Sequence, residues 1–405
     1  MNRSPLSALL ATALFTFTGC AAEEDTTASS SPVREVAPKE MHVSPHDFAQ
    51  AAPWYSCPTE SLPEGVITLS AFNQDTHSFG GDAGNLRKIE SEVEFPNERY
   101  WEQVGMRLTL ECPENGKCDH WDRSGSIQLV ENPEAPAEEQ TTMEIARHIT
   151  PYRRGMCQYI DITPMASRLV GKQTLRSYID TWVGPGHAQG EGWRISVEFV
   201  FYPGTQKTAD EVISVWGRKR IVVGQTERDK TIEAQITPVQ VTIPADATRV
   251  EAHLTTTGHS FGNRYNCAEF CEMRHDIKIN TTTFSVNPWR RDCEQNPVSP
   301  QSGTWKYARN GWCPGAIAVG NILDITNAVT PGIETTVDFD IRLPNGEVYD
   351  KFSHGSHLRS GEGGRTPRQK KNRPRRSLSL SPPLTDDGAA ADTSLHEKMS
   401  ETHTM

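Results

Sequence analysis

From Val66 onward the chain is dominated by short runs in which every second residue is apolar. Met106, Leu108 and Leu110 make one such run, and Ile195, Val197, Phe199 and Phe201 another. Val239, Val241 and Ile243 follow, then Val250, Ala252 and Leu254, then Val337, Phe339, Ile341 and Leu343. Successive strand residues point to opposite faces of a sheet, so this pattern buries one face and leaves the other wet. Nothing comparable at helical period extends beyond a turn or two. Many short strands separated by Gly, Pro, Asn and Asp predict an all-β chain of sandwiches or jelly rolls.

The 405 residues are long enough for two such units. A boundary is expected in "YPGTQKTAD", residues 202–210, which follows a strongly alternating strand. Residues 61–205 and 206–350 are then the two domains. Residues 21–60 are rich in Ser, Thr, Pro and charge and predict a disordered tether. Residues 351–405 predict a disordered basic tail. The formal charge is −11. Ten Lys/Arg against six Asp/Glu from Lys351 onward put +4 in the tail and −15 in the rest. The body therefore lacks the basic footprint of a nucleic-acid-binding protein.

The start, "MNRSPLSALLATALFTFTGCAA", has the basic residue, short apolar run and small residues of a bacterial export signal. "FTGC" resembles a lipobox, with residues 1–20 as the signal and Cys20 as the lipidated first mature residue. The alternative is an ordinary cleaved signal, and both readings export the protein. Ala21 is not the aspartate that retains lipoproteins at the inner membrane, which implies an outer-membrane anchor. Contact with the membrane is expected only through that lipid.

If Cys20 carries lipid, eight of the nine cysteines remain, an even number that reads as disulfides in an exported chain. The local pairs are Cys112 with Cys118, Cys267 with Cys271, and Cys293 with Cys313, and Cys57 with Cys157 follows by elimination. A zinc reading of these cysteines is the weaker alternative, because neither close pair has the two-pair layout of a structural site.

Four motifs carry chemistry. In "CDHWDR" Asp122 lies between Trp121 and Arg123, where burial would raise its pKa and the cation lower it. "YIDTWV" sets Asp180 two residues before Trp182, so both face one side of a strand, an acid-and-ring arrangement suited to a sugar. "TTTGHSFGNRYNCAEFCEMRH" contains His259, Glu269, Phe270 and His275. Closing the five-residue ring of "CAEFC" stabilises by only about 2 kcal/mol, so aiming Glu269 is the better reason for the bridge. "WRRDCEQNPVSPQSGTWKYARNGWCPG" holds Trp305, Arg309 and Trp312 in another cystine-closed loop. Each motif alone has a purely structural reading: a surface turn, a core tryptophan, a stapled loop.

Together, "CDHWDR", "RHITPY", "DTWV", "CAEFC" and "GWCPG" occur in the order and at the spacing of the peptide:N-glycosidase F family, which the chain resembles from about Val66 to Leu343. The resemblance implies two tandem eight-stranded antiparallel jelly rolls with the active site in the cleft between them. It implies an amidase that hydrolyses the Asn–GlcNAc side-chain amide of an N-linked glycopeptide or glycoprotein, leaving Asp and a released glycan, with no metal and no cofactor. By motif, Asp122 falls on the principal catalytic aspartate and Glu269 on the essential glutamate. Arg309 falls on a supporting arginine, and Arg123 also matches. Asp180 stands where the family has glutamate, one carbon shorter, so a direct contact could slip by about 1.5 Å. Two family tryptophans are replaced by Thr257 and Phe270. Catalytic candidates are thus Asp122, Glu269 and Asp180; substrate-binding candidates are Trp121, Arg123, Trp182, His259, Phe270, Arg309 and Trp312. The family's final strand is not recognisable in the tail. A monomer is expected.

Two other readings remain open at this point. A glycan-binding lipoprotein that has lost turnover is favoured by Asp180 and Thr257. A copper monooxygenase of similar architecture would need clustered histidines, and His120, His148, His259 and His275 are scattered.

Overall fold

The structure is a computed structural model that describes residues 41–42, 56–59, 61–98, 100–205, 209–222, 231–259, 267–343 and 346–347. Cys20, most of residues 21–60 and all of 351–405 lie outside the described residues, and with them the lipidation site and the tail.

The strands are β1 (Met41–His42), β2 (Ile67–His77), β3 (Lys88–Phe95), β4 (Trp101–Glu111), β5 (Ser124–Val130), β6 (Thr142–Ile149), β7 (Met156–Asp161), β8 (Gly171–Ile179) and β9 (Trp193–Pro203). After them come β10 (Val239–Thr242), β11 (Glu251–Leu254), β12 (Arg274–Ile279), β13 (Thr282–Val286) and β14 (Trp289–Arg290). The last are β15 (Arg309–Asn310), β16 (Ala316–Ile317), β17 (Asn321–Asp324) and β18 (Glu334–Arg342). Two single-turn helices, α1 (Ile232–Gln235) and α2 (Cys267–Phe270), interrupt them.

In the first half, a β2-β9-β4-β7 sheet faces a β6-β5-β8-β3 sheet, giving eight antiparallel strands in two layers. The alternating residues are its core. Met106, Leu108 and Leu110 stand opposite Phe199, Val197 and Ile195 across β4 and β9, and all six are 1 % exposed or less. Each such burial is worth about 1.5–3 kcal/mol. In the second half the main sheet runs β1-β13-β12-β18-β10 over a separate core of Ile277, Phe284, Val337, Phe339 and Ile341. Its opposing layer consists of two-stranded pieces, β11-β17 and β14-β15.

The described contacts cross the expected boundaries in several places. The tether does not run unbroken to residue 60: β1 pairs in parallel with β13, Ser56 bridges to Gln158, and Cys57 is bonded to Cys157. The chain does not divide cleanly at 205/206. Val212 packs on the first core, and Ser214 Oγ donates to Thr142 O at 3.2 Å, whereas Val215 and Trp216 pack on the second core. Further on, β16 leaves the second half and pairs with β6, carrying Ile317 into the first core together with Val298. The halves are therefore tied by a shared sheet, which fixes the loop 291–315 against the first jelly roll.

Candidate active site

Asp122 is presented by the turn that enters β5. Asp119, fully buried, organises that turn: it accepts from Trp121 N at 3.1 Å, Thr181 Oγ1 at 2.8 Å and Arg123 Nε at 2.7 Å. Thr150 clamps the other side, accepting from Arg123 N at 2.8 Å and donating to Trp121 O at 3.1 Å. The Cys112–Cys118 bridge ends one residue before Asp119. Arg123 is thus bound to Asp119, and the strongest cation on Asp122 comes from elsewhere.

That cation is Arg309 of β15, whose side chain is fully buried. Its Nη2 stands 3.9 Å from Asp122 Oδ2, and its Nε donates to Glu269 Oε1 at 2.9 Å. Nη1 donates to the carbonyls of Thr304 and Tyr307, both at 2.9 Å, and Nη2 donates to Thr304 Oγ1 at 2.8 Å. A guanidinium held by this many acceptors is locked in one rotamer. Tyr152, after β6, donates its hydroxyl to Asp122 Oδ2 at 2.6 Å and accepts from Arg309 Nη2 at 3.4 Å. One arginine and one tyrosine therefore join a carboxylate of the first half to a carboxylate of the second.

Burial pushes the Asp122 carboxyl above its ordinary 3.8, against the Arg309 charge, the Tyr152 hydrogen bond and the weaker Arg123 charge. Burial, then the Asp122 charge, pushes the Tyr152 hydroxyl up, so it stays a donor.

Glu269 sits on α2, with its side chain 9 % exposed. Asn310 Nδ2 donates to Ala268 O at 3.2 Å, and Gly258 N donates to Asn310 O at 3.0 Å. A Cβ on Gly258 would fall 1.7 Å from Ala268 O, so only glycine lets this loop lie against the turn that carries Glu269. Cys271 is disulfide-bonded; the partner expected for it is Cys267, whose side chain lies outside the described residues. Even without that bridge, Arg309, Asn310 and Gly258 fix the direction of Glu269.

The other candidates divide. Trp121 and Trp182 are exposed, at 40 % and 43 %. Asp180 and Trp182 lie just beyond the end of β8 and not on a strand as expected; Arg87 stacks its guanidinium on Trp182 and Phe79 and stands 3.7 Å from Asp180, so one arginine reaches both. Asp180 Oδ1 also accepts from Tyr178 Oη at 2.9 Å, and its backbone N–H bonds to Ser124 O, which sets it beside the Asp122 turn. Its carboxylate is thus engaged by an arginine and a tyrosine, as befits a binding group more than a base. Phe270 is half-buried, 5.4 Å from the Arg309 guanidinium. Trp312, expected against substrate, is 1 % exposed. It donates Nε1–H to Gly258 O at 2.5 Å, stacks on His259 at 4.5 Å and lies 4.8 Å from Arg309. It is a floor beneath the site.

Burial, with the charges of Arg147, Arg218 and Arg309, lowers His259 to about 3. It is neutral at pH 7 and serves neither as an acid nor as a cation. Among the described residues no group of three His, Cys, Asp or Glu is placed to hold a metal ion.

Residues 228–358 match the family described as Peptide-N-glycosidase F, C terminal, a span that includes Glu269 and Arg309. The chain is 29 % identical over 310 residues to the peptide-N(4)-(N-acetyl-β-D-glucosaminyl)asparagine amidase F of Elizabethkingia miricola, covering 71 % of this chain and 82 % of that protein. The chain is similar to peptide-N-glycosidase F over most of its length. Its fold agrees: a crystal structure of a peptide-N(4)-(N-acetyl-β-D-glucosaminyl)asparagine amidase superposes with a TM-score of 0.54 at 23 % identity, covering 70 % of this chain and 92 % of that one. The structure of PNGF-II gives a TM-score of 0.55 at 17 % identity, over 72 % of this chain and 66 % of that one.

The residues missed from sequence are those that hold the site together. Tyr152 ends the quoted "RHITPY" and Tyr178 begins "YIDTWV", so both were inside visible motifs without an assigned part. Asp119 was visible too, beside Asp122. Thr304, Arg87 and Asn310 carry no sequence signal, because each acts through a long-range contact.

Proposed function

We propose that the protein is a peptide-N4-(N-acetyl-β-glucosaminyl)asparagine amidase that hydrolyses the amide joining asparagine to the first N-acetylglucosamine of an N-linked glycan. The observation that carries this reading is Arg309, bound to Glu269 at 2.9 Å and 3.9 Å from Asp122, so that two carboxylates of different halves meet at one guanidinium.

A water attacks the side-chain carbonyl carbon of the glycosylated asparagine, losing a proton to Asp122. As the tetrahedral adduct collapses, the C–N bond breaks, and the departing glycosylamine nitrogen takes that proton back. The asparagine becomes aspartate and the glycan leaves with its amine. Glu269 accepts from a hydroxyl of the first sugar and shares the attacking water. Arg309 allows both carboxylates to stay ionised side by side, because its charge offsets their mutual repulsion. The exposed rings of Trp121 and Trp182 stack on sugar faces, and Asp180 accepts a sugar hydroxyl.

The three described disulfide pairs support an oxidising compartment and hence export. We place the mature protein at the outer membrane through lipid on Cys20.

Incubating a denatured N-glycopeptide in ¹⁸O-labelled water tests the reaction. Mass spectrometry should show Asn converted to Asp carrying one ¹⁸O, with an intact free glycan. Glycan binding without that mass change would instead leave a binding protein.

Tyr152→Phe gives a narrower test. Removing a donor that favours the Asp122 anion moves its pKa further up. The acid limb of kcat/KM should therefore shift to higher pH, with a loss of about tenfold at neutral pH, the effect of one charge-assisted hydrogen bond. An unmoved acid limb would show that Asp122 is not the group titrating there.

A further inference from the structure

Five arginines named above or adjoining the site have a carboxylate: Arg87 has Asp180, Arg123 has Asp119, Arg147 has Glu144, Arg176 has Glu90 and Arg309 has Glu269. Arg218 has none among the described residues. It belongs to the connection between the two halves, which is pinned by Arg168 Nη1 donating to Val212 O at 2.9 Å and by Ser214 on Thr142. Its Nη2 donates to Ser124 Oγ at 3.1 Å, two residues beyond Asp122, and its guanidinium lies 4.8 Å from the ring of Tyr178, the residue that holds Asp180. The side chain is half-buried and fixed at two points, which is unusual for a cation without a counterion.

Several polar atoms around it are orphaned. Arg218 Nε is buried and makes no hydrogen bond. His259 Nε2 is in the same condition, and so are both ring nitrogens of His148. The His148 ring lies flat on Gly125, where a Cβ would come within 2.3 Å of Nε2, beside the Ser124 that Arg218 touches. The Arg218 charge acts on both imidazoles, helping burial to hold each at about 3. Asp180 does not discharge it, being engaged by Arg87. Arg218 is therefore a fixed, half-buried cation with no carboxylate among the described residues, a place where an anion is favoured.

We propose that Arg218 is the anchor of an oxyanion subsite in the cleft, recognising a sulfate, phosphate or carboxylate carried on the sugars next to the scissile amide. This rests on the amidase reading only for the location of the glycan. With Nε buried and one Nη2 hydrogen given to Ser124, the planar guanidinium keeps its Nη1/Nη2 edge for an oxyanion, since Nη1 makes no hydrogen bond among the described residues. The subsite would favour glycans with an acidic core over neutral ones.

Calorimetric titration of the full chain with N-acetylglucosamine, N-acetylglucosamine 6-sulfate and inorganic sulfate, at equal ionic strength, tests this without reference to turnover. The sulfated sugar is expected to bind about tenfold more tightly than the neutral sugar, as one charge-assisted contact gives. Inorganic sulfate should bind more weakly than the sulfated sugar. In Arg218→Met the ratio of sulfated to neutral affinity should fall to about one, and in Arg218→Lys, which keeps the charge without the fork, to an intermediate value. Equal affinity of the wild-type chain for the sulfated and neutral sugars overturns the proposal. So does a preference that survives Arg218→Met, or inorganic sulfate binding as tightly as the sulfated sugar. Glycopeptide cleavage in the same preparations separates the two ideas: a chain that cleaves without discriminating sinks only the oxyanion subsite, and one that discriminates without cleaving sinks only the amidase.

Discussion

Asp122→Asn is expected to lower kcat/KM by about 10²–10⁴-fold, the contribution of one acid/base group, while leaving the protein as stable as the wild type or more so. Asparagine has the same shape, and its carbonyl oxygen still accepts from Tyr152. What disappears is a charge that burial disfavours. The folded pKa of Asp122 is raised above 3.8. Ionising it therefore opposes folding, and the cost grows as pH rises from 3.8 through the folded value. Relative to wild type, the variant should gain stability at pH 7 and not below about pH 3.8. Urea unfolding at neutral and acidic pH measures the second effect, and glycopeptide cleavage the first. A variant that cleaves at near wild-type rate would move the activation of water away from Asp122. A variant destabilised at pH 7 would show that the Arg309 attraction outweighs the cost of burial.

A larger effect on stability is expected from the imidazoles. Burial lowers His77 to about 4 and His148, His259 and His275 to about 3, two in each half of the chain. Their reasons are visible. His77 bonds to Leu86 O at 2.9 Å and Ser177 Oγ at 2.8 Å, and His275 Nδ1 bonds to Thr256 Oγ1 at 2.9 Å inside the second half. All four are neutral when folded and take a proton near 6.5 when unfolded. Their stabilising effect is complete above pH 6.5 and lost as pH falls toward 3–4. The slope is about 1.4 kcal/mol per pH unit for each histidine, or roughly 3 for each half. A domain at the low end of the usual range, about 5 kcal/mol, should then unfold between about pH 5 and 4.5, and a more stable one should lose about 8 kcal/mol by pH 3. Asp122 slopes the other way, but as one group against four. Chemical denaturation at pH 7, 6 and 5 reads the slope directly. A flat profile over that range would mean that the imidazoles reach solvent and titrate normally.

The fold was legible because its determinant is local. Alternation at every second residue states which side chains face inward, and Ile195, Val197, Phe199 and Phe201 are all fully buried. The site was only half legible. Asp122, Glu269 and Arg309 lie in recognisable motifs, yet the cation named for Asp122, its neighbour Arg123, is the weaker of the two that act on it. Arg123 turns to Asp119 four residues back, and Arg309 comes from nearly two hundred residues away. The burial of Trp312 was equally hidden, since a tryptophan beside a cystine reads the same whether it lines a cleft or lies beneath it. Electrostatic partners and ring floors are set by tertiary closure, which leaves no periodic mark on the chain.

The short β16 strand has a consequence for how this protein comes into being. Until β16 docks, β6 is an open sheet edge, a template for pairing with another chain. The segment that closes the edge follows Arg309 by only a few residues. Capping the sheet and delivering the guanidinium to Asp122 are therefore one event, and a nascent chain that has not yet protected itself from aggregation has no assembled cleft either.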